Sequence, residues 1–176
     1  MPLVTNSCGE PIFEKVYPLL PKRRSAPQQC RRLLTDALYT GLRGLIDGDR
    51  FDVRHKAQGL KRNDPKREFM WDHVWISNED GQLALVLESE WSKWGELVLE
   101  DFKKLLYAKA PLKVLVYVEQ KENLMAWEAM KRCLQSFAFH LDGEHYLIVN
   151  LRGWDSGSVE AVLYAHASGF QIVKGH

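Results

Sequence analysis

Residues 112–118, Leu-Lys-Val-Leu-Val-Tyr-Val, constrain this chain more than any other segment. They are β-branched and apolar on both faces, the pattern of a strand covered above and below in a parallel sheet. Parallel neighbours need a crossover connection, most often a helix, and the residues just upstream supply one. Leu97 to Ala110 places Val98, Phe102, Leu105 and Leu106 on one stripe with charges opposite, and Pro111 stops the helix before the strand begins. The expected fold class is α/β, a central mixed sheet flanked by helices.

The rest of the chain fits that frame. Residues 1–26 are broken by Pro2, Pro11, Pro18 and Pro21 and are expected to form an irregular N-terminal arm. From Pro27, Leu33, Leu34, Ala37, Leu38, Leu42, Leu45 and Ile46 recur at helical spacing until Gly48. Phe51 to Gln58 alternates as a strand would, and Gly59 to Glu68 is a charged loop containing Asn63-Asp64-Pro65. Phe69 to Ile76 and Gln82 to Glu90 read as a hairpin turning on Asp80-Gly81. A helix over Asn123 to Phe139 and strands over Glu144 to Asn150 and Val159 to Ala167 complete the pattern. There is no internal repeat, low-complexity tract or linker, so residues 27–176 are expected to form a single α/β domain.

Composition excludes several classes. A chain of 176 residues, 45% hydrophobic and 27% charged, buries roughly 70% of its unfolded surface and needs no disulfide or metal staple. The longest apolar runs, Leu83 to Leu87 and Val114 to Val118, fall far short of the roughly 20 residues of a membrane-crossing helix, so no membrane partner is expected. The first residues lack the basic, apolar and small-residue regions of a secretory signal. Cys8, Cys30 and Cys133 are an odd number with no Cys-x-x-Cys pair, which suits a reducing, cytoplasmic location. No phosphate loop, dinucleotide fingerprint or Gly-x-Ser-x-Gly elbow is present, so triphosphatase, dehydrogenase and serine hydrolase activities are unsupported.

Net charge is only +1, yet it is distributed unevenly. The segment Lys22 to Arg67 holds 13 Lys/Arg against five acids, a net of +8, and the remainder carries −7. Clustered cations neutralise backbone phosphates and release counterions, so Arg54, Lys56, Lys61, Arg62, Lys66 and Arg67 are candidate nucleic-acid contacts. The competing expectation is an ordinary solvated basic face.

Chemistry is most visible in the hairpin. Because the strand period is two, Ala84, Val86, Glu88 and Glu90 share one face. In the preceding strand Asp72, Val74 and Ile76 form one face, and Trp71, His73 and Trp75 the other. A register that brings Asp72 to the face of Glu88 and Glu90 gathers three carboxylates at one end of an apolar sheet. Like charges there raise one another's pKa, and a divalent cation relieves them. Hard carboxylate oxygens suit Mg²⁺ or Mn²⁺.

In this element order and these residues the chain resembles the PD-(D/E)xK nuclease superfamily. The superfamily core runs α-β-β-β-α-β, with an Asp on the second strand and a (D/E)-x-K pair on the third. Asp72 matches the motif Asp and Glu88 the first position of the pair, whereas Glu90 stands where most members have lysine. Some restriction endonucleases of the superfamily carry Glu-x-Glu there. The resemblance covers about residues 27–118 and implies a restriction-endonuclease-like core cleaving phosphodiester bonds, taken to be those of DNA, with Mg²⁺ or Mn²⁺. It implies that Asp72 and Glu88 bind the metal and that Glu90 is a further ligand or orients the attacking water. It also implies a substitute for the missing lysine, for which Lys93, Lys103 and Lys104 are candidates and Lys104 is carried forward as catalytic. A supporting acid would come from Asp36 or Glu68. Pairing of two copies, one for each strand, suits a duplex-cutting enzyme.

Two alternatives stand beside this one: a non-catalytic nuclease-like fold that binds DNA or protein, and an adaptor-like interaction protein presenting a Trp-rich surface. Trp71, Trp75, Trp91 and Trp94 crowd around the motif, and core packing explains them more cheaply than base stacking. His73, opposite Asp72, is expected to be a hydrogen-bonded packing residue. Cys133, His140 and His145 match no standard zinc spacing.

Overall fold

The computed structural model describes residues 50–55, 70–152, 158–165 and 169–175. The expected arm over 1–26, the helix from Pro27 to Gly48 and the loop from Gly59 to Glu68 lie outside the described residues. The chain divides into two compact units, Met1–Ala84 and Leu85–His176.

In the first unit, β1 (Phe51–His55) runs antiparallel to β2 (His73–Ser77), from the Phe51–Ser77 pair to the His55–His73 pair. Trp75 packs against Phe51 with ring centroids 5.8 Å apart, and the Arg50 guanidinium lies 5.6 Å from the Phe51 ring centre. The turn after β2 is the one its sequence demands. Gly81 takes φ +71°, which a side chain would disfavour, and its N–H donates to the Ser77 carbonyl at 2.9 Å. Asp80 Oδ1 accepts the Gln82 N–H at 3.0 Å. That bond, with help from Ser77, holds the Asp80 carboxyl below its ordinary value.

β2 begins later than the expected Phe69. Residues 70–72 are bends, so Asp72 sits immediately before the strand instead of within it. The described ladder with β1 runs as far as the His55–His73 pair.

The second unit carries a mixed sheet with two helices, an α/β arrangement. β3 (Leu83–Glu90) pairs in parallel with β4 (Leu112–Glu119), and β4 in parallel with β5 (His145–Arg152). Antiparallel pairing then adds β6 (Ser158–Ala165) and β7 (Gly169–Gly175). β4 is buried from Leu112 to Val118, as its two-faced apolar pattern requires. The last strand, β7, was not anticipated: Gly169, Gly175 and Lys174 obscure its alternation.

Helix α1 (Gly95–Tyr107) buries Val98, Phe102, Leu105 and Leu106, the expected stripe. It stops short of Ala110 because the chain must extend ahead of Pro111: Ala108 is already extended, and its N–H bonds to the Leu105 carbonyl. Helix α2 (Ala126–Ser136) is shorter than the expected Asn123–Phe139 at both ends. At its start, Lys121–Asn123 forms a 3₁₀ turn, because the Asn123 side chain accepts the Gln120 N–H at 2.8 Å and donates to the Val118 carbonyl at 2.9 Å. At its end, Ser136 Oγ donates back to the Arg132 carbonyl at 2.8 Å and Phe137 turns extended. Met130 and Leu134 are fully buried, each contributing about 1.5–3 kcal/mol of transfer free energy. No helix among the described residues is long and apolar enough to cross a membrane.

Candidate active site

Strand registry lines residues of the second unit into rows on one face of the sheet. The first row is Val86, Lys113, Tyr146 and Tyr164; the second is Glu88, Leu115, Ile148 and Val162; the third is Glu90, Tyr117, Asn150 and Glu160. Glu88 is therefore an acid set in an otherwise apolar row, and it is only 2% exposed. Such a group needs a compensating cation.

Helix α1 supplies it. The Lys104 ammonium stands 3.3 Å from Glu88 Oε1 and 2.6 Å from Asp101 Oδ1, and its side chain is half exposed. Partial burial works against the ammonium, but the Asp101 hydrogen bond and the charges of Glu88 and Asp101 outweigh it. Lys104 is thereby held above the ordinary lysine range and stays protonated at neutral pH. Asp101 went unremarked in the sequence, although its i,i+3 spacing to Lys104 marks a helix-surface pair.

Glu90 turns its carboxylate back onto the chain and accepts the Ser92 N–H. Ser92 Oγ accepts the Trp94 N–H at 3.2 Å, and the Asn123 amide donates to the Ser92 carbonyl at 3.4 Å. The turn between β3 and α1 is thus built on Glu90 from one side and Asn123 from the other.

The remaining candidates are distributed as follows. Asp72 belongs to the first unit and is half-buried. Arg54, also there, is held by Asp52 at 3.0 Å. Lys56, Lys61, Arg62, Lys66, Arg67, Asp36 and Glu68 lie outside the described residues. Lys93 rests 4.7 Å from the centre of the Trp94 ring, while Lys103 is exposed. His73 is buried, and its Nε2 accepts the Trp75 indole N–H at 2.8 Å, the packing role expected for it.

One polar cluster escaped the sequence reading. Lys113, 1% exposed, donates to Glu144 Oε2 at 2.6 Å and to the Tyr146 hydroxyl at 2.9 Å. Tyr146 donates to Glu144 Oε1 at 2.9 Å, and His140 bonds to the same oxygen. The other His140 nitrogen donates to the Leu134 carbonyl at 2.8 Å, so both ring nitrogens are engaged. Burial pushes the Lys113 ammonium down from its ordinary range, while Glu144 ends below its own. The available signal was a lone lysine inside an apolar strand, which calls for a buried anion.

Among the described residues, no three His, Cys, Asp or Glu side chains are grouped to hold a metal. Mg²⁺ nonetheless needs only one or two protein carboxylates, its other positions going to water and phosphate oxygens. Glu88 and Glu90, two residues apart on one face, fit that requirement in donor type and number. No protein-family model, curated protein or solved structure matches this chain.

Proposed function

We propose that this protein is a metal-dependent nuclease that hydrolyses phosphodiester bonds, taken to be those of DNA, on a restriction-endonuclease-like core with a Glu-x-Glu variant of the motif. The observation that most supports this reading is the Lys104 ammonium 3.3 Å from buried Glu88. A cation beside the first motif acid is the part that Glu90 cannot provide, and helix α1 brings it from another element.

In this reading Glu88 and Glu90 would hold Mg²⁺ or Mn²⁺, and the motif alone would add Asp72. When bound, the ion would lower the pKa of a water and supply positive charge to the phosphoryl group. Lys104, kept protonated, is no general base at neutral pH. Its flexible stem and half-exposed position let the ammonium move from Glu88 to a phosphate oxygen, where it neutralises charge that grows in the transition state. Glu90 would be a further ligand or would orient the water, and the basic segment would contact backbone phosphates.

A second reading is a non-catalytic nuclease-like fold that binds DNA or protein. The same ion pair favours it, since Lys104 already neutralises Glu88 without a metal. Calorimetric titration of Mg²⁺ and Mn²⁺ separates the two, with plasmid and single-stranded substrates incubated alongside. The nuclease reading expects metal binding that is lost in Asp72→Asn and Glu88→Ala, and metal-dependent nicking that falls about 10²-fold or more in Lys104→Met. Absence of both binding and cleavage in the wild type leaves the non-catalytic reading.

A further inference from the structure

Three of the four motif tryptophans behave as packing residues and one does not. Trp71 and Trp91 are each 7% exposed and Trp75 is half-buried, whereas Trp94 is 55% exposed. This corrects the expectation that core packing accounts for all four. The physical reason is local. Trp94 is the residue that enters helix α1, its carbonyl already accepting the Leu97 and Val98 N–H groups, and it stays exposed while Val98 and Phe102 are buried.

The segment that carries Trp94 is held from several sides. Glu90 accepts the Ser92 N–H, Ser92 accepts the Trp94 N–H, and Asn123 holds the Ser92 carbonyl. Gly95 follows immediately, where an added Cβ would lie 3.4 Å from the Asn123 Cα. Trp94 thus presents its ring to water on a backbone fixed by hydrogen bonds. A cation adjoins it, because Lys93 holds its ammonium 4.7 Å from the ring centre.

We propose that Trp94 and Lys93 form a stacking platform for an unpaired nucleotide of the substrate, with Trp94 taking the base face and Lys93 the adjoining phosphate. An aromatic face with a neighbouring cation is the recurring unit of single-strand recognition, since every base offers a π-face and every link a negative charge. A duplex hides its base faces, so the platform selects single-stranded, frayed or terminal nucleotides. The inference rests on the proposed nuclease reading, for it takes a nucleic acid as the substrate.

The test uses the full chain without metal, so that binding is read apart from cleavage. Fluorescent single-stranded DNA, the same sequence as RNA and a closed-end duplex are titrated into wild type, Trp94→Ala, Trp94→Phe and Lys93→Gln. The platform expects Trp94→Ala to weaken single-strand binding about tenfold, with Trp94→Phe recovering most of it and duplex binding unchanged. It expects Lys93→Gln to lower the salt slope by about one. The DNA and RNA arms identify which single strand is preferred. Single-strand affinity unchanged in Trp94→Ala overturns the platform, even where metal-dependent cleavage is intact. Failure of the nuclease reading looks different: no cleavage with metal, while Trp94-dependent binding persists. A wild type that binds neither strand form overturns the platform and turns this surface over to a protein partner.

Discussion

Lys104 of α1 and Glu88 of β3 meet at 3.3 Å with unequal surroundings: the carboxylate is enclosed in the sheet face, while half of the lysine side chain remains in water. The inequality decides what each replacement does. Glu88→Ala leaves an ammonium that can keep Asp101 and find solvent, whereas Lys104→Met takes the cation away from an enclosed carboxylate.

Lys104→Met is therefore expected to be the more destabilising, by about 2 kcal/mol. That is below the about 3–5 kcal/mol of a fully buried pair because Lys104 is partly solvated. Glu88→Ala is expected to stay within about 1 kcal/mol while losing cleavage. Urea denaturation of both variants and the double replacement checks this, and the double variant should be more stable than Lys104→Met alone.

The Lys113–Glu144 pair lacks that escape, since both side chains are enclosed. Glu144→Gln is expected to destabilise the fold by about 3–5 kcal/mol by leaving the Lys113 ammonium without its counter-charge. Adding Lys113→Met should recover part of the loss, measurable as a rise in thermal midpoint over Glu144→Gln.

Acid sensitivity follows from the same carboxylate. Burial on its own would raise the Glu144 pKa, but hydrogen bonds from Lys113 and His140 and the Lys113 charge outweigh it and hold the group below its ordinary value. A carboxyl with a lower pKa folded than unfolded contributes its full stability above the unfolded value of about 4.3 and loses it as pH falls through the folded value. Wild type should thus lose stability below about pH 4 more steeply than Glu144→Gln. Urea midpoints between pH 3 and pH 6 supply the comparison, and parallel curves would remove Glu144 from the acid response.

Replacing Lys61, Arg62, Lys66 and Arg67 together by Gln is expected to weaken nucleic-acid binding and to lower the slope of log K against log salt by up to about four. An unchanged slope, read from binding isotherms at several salt concentrations, would take the basic segment off the phosphate-contacting surface.

Much of this architecture was legible before folding. The two-faced apolar run at β4, the amphipathic stripe of α1 and the Asp80-Gly81 turn are local patterns, and each reports local physics: side-chain period, burial and permitted φ. That Glu88 and Glu90 share a face follows from the strand period alone. Where the reading slipped, a side-chain hydrogen bond had intervened, as when Asn123, the first residue of an expected α-helix, bound Val118 and Ser92 and closed a 3₁₀ turn instead.

The candidate site divides along the same line. Its acids were visible in the sequence, since an alternating strand ending in Glu-Ser-Glu announces itself. The choice of Lys104 as the cation nearest Glu88, the pairing of Lys113 with Glu144 across 31 residues and the exposure of Trp94 beside buried Trp91 were decided by tertiary structure. These depend on strand register and on how α1 crosses the sheet. A one-residue slip in register would turn every one of these strand side chains to the other face. Periodicity specifies which residues share a face, while only packing specifies what that face meets.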